Sequence, residues 1–554
     1  MEVMMSVYQS FSEPDGISPV SPNPSGETVD LIRGLSVYGV ANDLDIDAGL
    51  DTPHFNTPED HFTLTDGVKA AVVDYTDPAF THFTRGGARS VLYRLEHLSA
   101  VKGFSASVLL QRKLGIRLPE RIDVFLSLDG KTWERAGQAR NLIAGSDPGI
   151  VSVKVEFEKI YQASWVCFEI SVACHVWAEH LSLYGSTLIP DGAVVPVEDG
   201  SRAERKALDV NAYTPYEALG GVQNIVLAYN CMPPEAKDEE ALQISSYTVE
   251  EALPYLGYID REGKLQDTFF DAALFLPYAR FTYSANYKSA SGWKYYIDNT
   301  FGEGRNVDAF DAAAAKIEKT LGKACRPKLF FSIFHTAPYY GEFPEKFGDL
   351  DGDGIDEDVT TLEGKLKVTK WMIDEQIRRF RAKERTNVEL CGFYWFEEDI
   401  ACDTAYEREV LDFVQGYVHG LGYKLIWIPY YQAPGYTEWK SYGFDAAAMQ
   451  PNYAFQPNTP AERLYVNARL AKKYGMCYEM EINSADSHYD CDRYKEYLQA
   501  GVDEGFMYAI KMYYQSGRAF HTAFTSEDPF IRSVYDDTYL FAKEKLEKSI
   551  RLGE

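Results

Sequence analysis

Two short segments of this 554-residue chain carry side chains able to do acid–base chemistry from buried strands. One is Gly392-Phe-Tyr-Trp-Phe-Glu-Glu-Asp399 and the other Tyr478-Glu-Met-Glu-Ile-Asn483. Each is an aromatic, apolar run of strand length that carries carboxylates at or near its end. An ionised carboxylate is costly to desolvate, so such a strand must open into a polar site. Two strands of this kind suggest two acids meeting in one pocket, the requirement for cleaving a glycosidic bond. One carboxyl, kept protonated, serves the leaving oxygen, and the other, ionised, attacks or activates water. Neighbouring acids push each other's pKa values apart, and aromatic surroundings such as Tyr394 and Trp395 raise the donor's further. The candidates are Glu397 and Glu398 from the first segment and Glu479 and Glu481 from the second. Alternation along a strand puts Glu479 and Glu481 on one face. The plain alternatives are a solvated loop at 397–398 and a buried ion pair between Glu479 and Lys511.

A second group of residues has the spacing of a metal loop. Asp349-Leu-Asp-Gly-Asp-Gly-Ile-Asp-Glu-Asp358 places acids at positions one, three and five and Gly at six, as oxygen-rich calcium loops do. Asp349, Asp351 and Asp353 are the expected side-chain ligands, Ile355 the carbonyl and Glu357 a ligand directly or through water. Position twelve is Thr360 rather than a bidentate Glu, which weakens the site. A structural calcium ion is therefore expected, and no organic cofactor.

The elements that would hold these groups form two blocks. From 221 to 548, strand-like runs alternate with amphipathic helical patterns. The runs are Asn224–Asn230, Asp271–Tyr278, Lys328–His335, Glu389–Phe396, Lys424–Tyr430, Ala446–Asn452, Met476–Asn483 and Tyr508–Tyr514. Among the helical patterns are Val307–Leu321, Leu362–Lys383, Ala405–Leu421, Pro460–Tyr474 and Asp492–Glu504. Eight such units predict an α/β (β/α)₈ TIM barrel, whose chemistry sits at the C-terminal strand ends. Several ends carry aromatic or amide side chains suited to sugar rings and hydroxyls. They are Tyr229, Asn230, Tyr278, Trp395, Trp427, Tyr430, Gln450, Asn452 and Tyr513, with Tyr339 and Tyr340 after the third strand. His335 ends that strand and could assist a carboxylate. Residues 34–188 show short alternating runs with turn signals, among them Asp129-Gly130, and predict an all-β sandwich. Residues 1–33 read as a flexible or wrapping arm and 189–220 as a linker.

Leu64-Thr-Asp-Gly67, Ser127-Leu-Asp-Gly-Lys-Thr-Trp133 and Leu181-Ser-Leu-Tyr-Gly185 make the first block resemble the discoidin or galactose-binding-like jelly-roll sandwich. That resemblance implies a module that binds sugar in some of its members and is purely structural in others. The second block is similar to a bacterial family catalogued as domain of unknown function 4855, through Gly392-Phe-Tyr-Trp-Phe-Glu-Glu and Glu479-Met-Glu. It also resembles the clan of retaining glycoside hydrolases with catalytic Glu residues at strands four and seven. By that resemblance Glu398 is the acid/base and Glu481 the nucleophile; the residues themselves suggest Glu397, Glu479 and His335 as supporting groups. The clan carries Asn before its acid/base, where this chain has Glu397.

Composition narrows the partners. A formal charge of −28 disfavours nucleic acid and anionic membranes and suits a neutral carbohydrate. The aromatic content of 14%, including 39 Tyr, supplies stacking surfaces. Eight scattered Cys without a CxxC pair read as reduced core thiols. No signal peptide or membrane-spanning run is visible, so a cytoplasmic location is expected. Phosphate-binding, dinucleotide, HExxH and G-x-S-x-G motifs are missing. The expected activity is hydrolysis of a poly- or oligosaccharide by two carboxylates with retention. A non-catalytic glycan-binding barrel and an inverting hydrolase remain open alternatives. Carboxyl spacing separates the retaining from the inverting reading, about 5–5.5 Å against about 6.5–9.5 Å.

Overall fold

Eight apolar runs of the C-terminal block close into a parallel barrel in the computed structural model. The structure describes residues 15–42, 63–84, 88–172, 175–201, 210–336, 343–344, 346–400 and 405–547. The barrel strands are β1 (Asn224–Tyr229), β2 (Ala272–Leu276), β3 (Lys328–Ile333), β4 (Glu389–Trp395), β5 (Lys424–Trp427), β6 (Ala446–Met449), β7 (Cys477–Glu481) and β8 (Lys511–Tyr514). Each pairs in parallel with the next, and β8 closes on β1 through Lys511↔Asn224 and Tyr513↔Val226. All eight expected runs are strands, each shorter than the run read from sequence. The residues trimmed from the C-terminal ends turn out of the ladder at the upper rim, whereas Asp271, Met476 and residues 508–510 precede their strands at the other end.

The barrel interior is apolar up to that rim. Leu227, Leu274, Phe330, Ile426, Ala448, Cys477 and Met512 are buried in one cluster. Their strands are covered on the other face by helices, so both faces are apolar and the runs read as nearly continuous hydrophobic stretches. Some of the helices begin at side-chain caps. Thr361 accepts from Gly364 N–H ahead of Leu362–Arg381, whose last turn carries Arg378, Arg379 and Arg381 against the helix dipole. Ser487 accepts from Asp490 N–H and starts the helix after β7 at His488, a turn earlier than expected. The segment between β1 and β2 holds two short helices and an antiparallel hairpin, Gly257–Ile259 with Leu265–Thr268.

The other unit is an antiparallel sandwich. Two of its strands, Ala88–Leu110 and Gly149–Ser171, run for 23 residues each and pair with one another. The sequence suggested short runs. Register shifts between Arg94 and Ser99 and between Val101 and Gly103 let one long strand bend instead of ending. The expected hairpin turn is present, with Gly130 at φ +82°. Its motif is consumed internally: Asp129 Oδ1 accepts from Lys131 and Thr132 N–H, and Trp133 Nε1 donates to Gly130 O at 3.1 Å. Part of the N-terminal arm belongs to this sheet, since Val29 and Asp30 pair with Gly185 and Tyr184. The six cysteines described, at 167, 231, 325, 391, 477 and 491, are free thiols, whereas Cys174 and Cys402 lie outside the described residues. No helix among the described residues is long and apolar enough to cross a membrane.

Candidate active site

At the C-terminal rim of the barrel, the ends of β1, β2, β4, β5, β6, β7 and β8 surround a cavity of about 300 Å³. Three carboxylic side chains line it: Glu398 beyond β4, and Glu479 and Glu481 on β7. The remaining wall is aromatic and apolar, with Tyr229, Tyr278, Tyr283, Tyr394, Phe396, Phe455 and Tyr514, while Gln450 and Asn452 add amides.

Strand alternation explains which groups arrive there. On β7, Glu479 and Glu481 face inward, whereas Tyr478 turns outward and stacks on Phe506 at 3.7 Å. Past β4, Tyr394, Phe396 and Glu398 share the cavity side. Trp395 and Glu397 go to the other side, against His335.

The three carboxyls live in different surroundings. Glu481 is 1% exposed and heavily hydrogen-bonded. Its Oε1 accepts from Asn452 N–H at 3.2 Å, and its Oε2 accepts from Tyr453 N–H at 3.2 Å and from the Tyr497 hydroxyl. Asn452 has φ +54°, a left-handed conformation that Asn tolerates. The Tyr497 hydroxyl is itself held by Ala454 N–H at 3.1 Å. Burial pushes Glu481 up to about 7, while these donors favour its charged form. Glu479 sits deeper and makes no hydrogen bond among the described residues; burial and then the charges of Glu481 and Glu398 hold it well above the usual carboxylate range. Where two such acids share one proton, the carboxyl without donors keeps it and the carboxyl with three releases it. Glu398 is pushed up to about 7 by the protein around its carboxyl, and Glu397, Glu481 and Asp399 add to this, while a Gln450 hydrogen bond opposes it. Its side chain is nevertheless exposed to the cleft. Cleft water screens part of the shift, and a ligand that expels this water brings it out in full.

Behind Glu398 lies a buried charge cluster that no local motif reveals. His335 Nδ1 is 3.5 Å from Glu397 Oε2, and its Nε2 bonds Glu407 Oε2. Burial alone would lower this imidazole, but Glu407 and Glu397 outweigh it and raise it to about 9, so the ring is cationic at neutral pH. Glu397 Oε1 accepts the Glu398 N–H at 3.3 Å, and its carbonyl accepts from Trp427 Nε1 at 2.6 Å. Glu397 therefore touches the backbone that carries Glu398 rather than the cavity, and His335 reaches that backbone through Glu397.

Of the residues expected to bind substrate, Tyr229, Tyr278, Gln450 and Asn452 line the cavity. The structure does not bring the others there. Asn230 is buried and donates to Thr300 Oγ1 at 2.9 Å. Trp395 packs edge-on to His335, Trp427 stacks on Phe444, and the Tyr513 hydroxyl donates to Asn224 at 3.0 Å. These three follow the outward parity of their strands. Tyr430 receives no place in the lining; its N–H donates to Glu398 O at 3.1 Å. Tyr339 and Tyr340 lie outside the described residues. Tyr514, at the end of the eighth run, also lines the cavity, and residues missed from sequence include Tyr283 and Phe455 in the lining and Tyr497 beneath Glu481. Lys511 does not pair with Glu479: its ammonium donates to the carbonyls of Met507 at 2.6 Å and Ala509 at 2.8 Å.

The acidic loop after β3 gathers as its spacing implies. One ligand atom each from Asp349, Asp351 and Asp353 falls within 4.8 Å of the others. Lys367 also reaches this cluster, at 3.1 Å from Asp351, 3.0 Å from Asp353 and 3.1 Å from the buried Glu357. The Asp349 oxygens accept from Gly352 and Gly354 N–H at 2.6 and 2.9 Å. Ile355 is exposed, and its N–H donates to Asp353 at 2.8 Å. The donor set suits a hard cation, which would compete with the lysine ammonium for the same oxygens.

Comparison with solved structures gives distant likenesses. A carbohydrate-binding module, CBM32-3, from a family 31 glycoside hydrolase of Clostridium perfringens is 13% identical over 28% of this chain and 94% of its own, with a TM-score of 0.20. Xylanase 10C of Cellvibrio japonicus, in complex with xylopentaose, is 10% identical over 82% of this chain and 87% of its own, with a TM-score of 0.27. A ruminal GH26 endo-β-1,4-mannanase is 11% identical over 96% and 99%, with a TM-score of 0.29. At such scores these likenesses carry no activity over to this chain. No curated protein matches it. The family model described as Domain of unknown function (DUF4855) matches residues 224–540, from the first residue of β1 to beyond β8, and the chain belongs to that family.

Proposed function

We propose that the barrel is a glycoside hydrolase in which Glu398 is the acid/base and Glu481 the nucleophile. The observation that carries this reading is one cavity lined by a cleft-facing carboxyl raised to about 7 and by a second carboxyl held by three donors. Glu398 gives its proton to the glycosidic oxygen as the bond from that oxygen to the anomeric carbon breaks. Glu481 Oε1, which accepts a single hydrogen bond, has a lone pair left to attack the anomeric carbon. Water then displaces Glu481 and gives its proton to Glu398. Aromatic walls stack on sugar rings, and Gln450 and Asn452 suit hydroxyls. A screen of wild type and Glu481→Gln against a broad glycan and aryl-glycoside panel tests this. Activity lost in a folded variant supports it, and a wild type that binds glycans without cleaving any leaves a glycan-binding barrel.

The pH profile follows from the two carboxyls. Activity falls at alkaline pH as Glu398 loses its proton near 7, and at acid pH as Glu481 gains one. Tyr497→Phe removes a donor to the charged form, so the pKa of Glu481 rises and the acid limb moves to higher pH. An acid limb that stays in place in kcat/KM profiles would remove Tyr497 from the site.

For the acidic loop we propose weak structural calcium binding by Asp349, Asp351 and Asp353, in exchange for the Lys367 contacts. Lys367→Met should lower thermal stability without calcium and recover it in millimolar calcium, because the carboxylates then lack a counter-ion. Melting curves that calcium moves in neither protein would refute the site.

A further inference from the structure

The cavity is unbalanced in charge. Glu398, Glu479 and Glu481 all line it, and among the described residues no Lys, Arg or His does. Lys511, the nearest cation on the neighbouring strand β8, points at carbonyls toward the other end of the barrel, and His335 is held by Glu397 and Glu407 outside the lining. Glu481 has donors for its charge and Glu398 has Gln450. Glu479 has none, although it is only 2% exposed. In the empty cavity such a carboxyl holds the proton it shares with Glu481, and it gives that proton up when a cation arrives to pair with it.

What surrounds it favours a cation. The rings of Tyr278 and Tyr514 both meet the Tyr229 ring edge-on, at 5.5 and 5.7 Å between centroids. The rings of Tyr229, Tyr394 and Tyr514 line the same cavity as the Glu479 carboxyl. Aromatic faces beside a carboxylate attract ammonium groups, and the low-dielectric wall strengthens the attraction. The same field repels uronic acids and sulfated sugars, and the net charge of −28 extends that repulsion into solution.

We propose that this cavity selects a sugar bearing a free amine, a deacetylated hexosamine, with Glu479 as the counter-ion of its ammonium group among Tyr229, Tyr394 and Tyr514. This substrate class rests on the glycoside-hydrolase reading of the same cavity. Glu479 is a binding residue in this scheme, distinct from the reacting pair.

Calorimetric titration of the full chain at pH 6 tests it, with oligomers of glucosamine and of galactosamine against their N-acetylated counterparts and a galacturonate oligomer. One amine series should bind about 10- to 100-fold more tightly than its acetylated form, the span expected for one charge-assisted hydrogen bond. Galacturonate should not bind. In Glu479→Gln the preference should shrink below about threefold. Wild type carries the test alone if that variant fails to fold. Equal or tighter binding of the acetylated forms, or binding of neither amine series, would overturn the proposal, as would a preference that survives the substitution. Chain-length analysis of the same mixtures separates the two readings. Amine oligomers bound with the expected preference but left intact would keep the amine site and reject hydrolysis. Acetylated or other neutral oligomers cleaved without amine preference would do the reverse.

Discussion

Glu398→Gln should lower kcat/KM on a natural glycoside by about 10²–10⁴-fold, the range that a positioned general acid supplies. The loss should depend on the leaving group. An aryl glycoside with an acidic phenol leaves without protonation, so its bond cleavage is spared and only the later attack of water is slowed. The reason lies in the different surroundings of the acids on one rim. Glu398 stands at the cleft with its carboxyl pushed up to about 7, whereas Glu481 is fixed by Asn452, Tyr453 and Tyr497. Azide adds a second readout. It should restore turnover in Glu398→Ala with retention at the anomeric carbon, and in Glu481→Ala with inversion. Equal losses on good and poor leaving groups would remove Glu398 as the acid.

His335→Gln should destabilise the barrel by about 3–5 kcal/mol, the cost of leaving a buried ion pair with one partner gone. Glu397 and Glu407, both almost fully buried, would then face each other without the imidazolium between them. The wild type should show the same dependence as a pH effect. The folded pKa of His335, about 9, lies above its unfolded value of about 6.5. Its contribution is therefore complete below about pH 6.5 and is lost as pH rises through about 9. At roughly 1.4 kcal/mol per pKa unit this is about 3 kcal/mol. Urea titrations of both proteins from pH 6 to 9.5 check it. A stability difference that does not narrow with rising pH would mean that the ring is neutral. Since Glu397 also accepts the Glu398 N–H, the substitution should disturb activity along with stability.

Much of this is legible in the sequence, for identifiable reasons. Turn residues punctuate the eight apolar runs, and the Glu residues at 398, 479 and 481 stand where those runs meet polar sequence. All three line one cavity. Parity was the harder question. Barrel strands are apolar on both faces, so nothing local distinguishes the outward Trp395, Trp427 and Tyr513 from the inward Tyr394 and Tyr514. Contacts between distant helices and loops were also hidden. Glu407 lies 72 residues from His335, and Tyr497 lies 16 from Glu481 on what reads as an ordinary amphipathic helix. Lys367, 14 residues past Asp353 on a helix, gives no sign in sequence that it reaches into the acidic loop. In the sandwich the bulges that join short runs into strands of 23 residues have no composition signature of their own.

The most direct measurement is to trap the covalent intermediate. Glu398→Gln, incubated with an activated aryl glycoside of the sugar found in the panel screen, should form the glycosyl-enzyme faster than water removes it. After acid quench and peptic digestion, mass spectrometry should find one sugar mass on the peptide containing Tyr478-Glu-Met-Glu-Ile-Asn483, with fragmentation placing it on Glu481. A sugar on Glu479 or on any other residue, or rapid turnover with no adduct and an inverted product, would contradict the assignment of Glu481 as nucleophile.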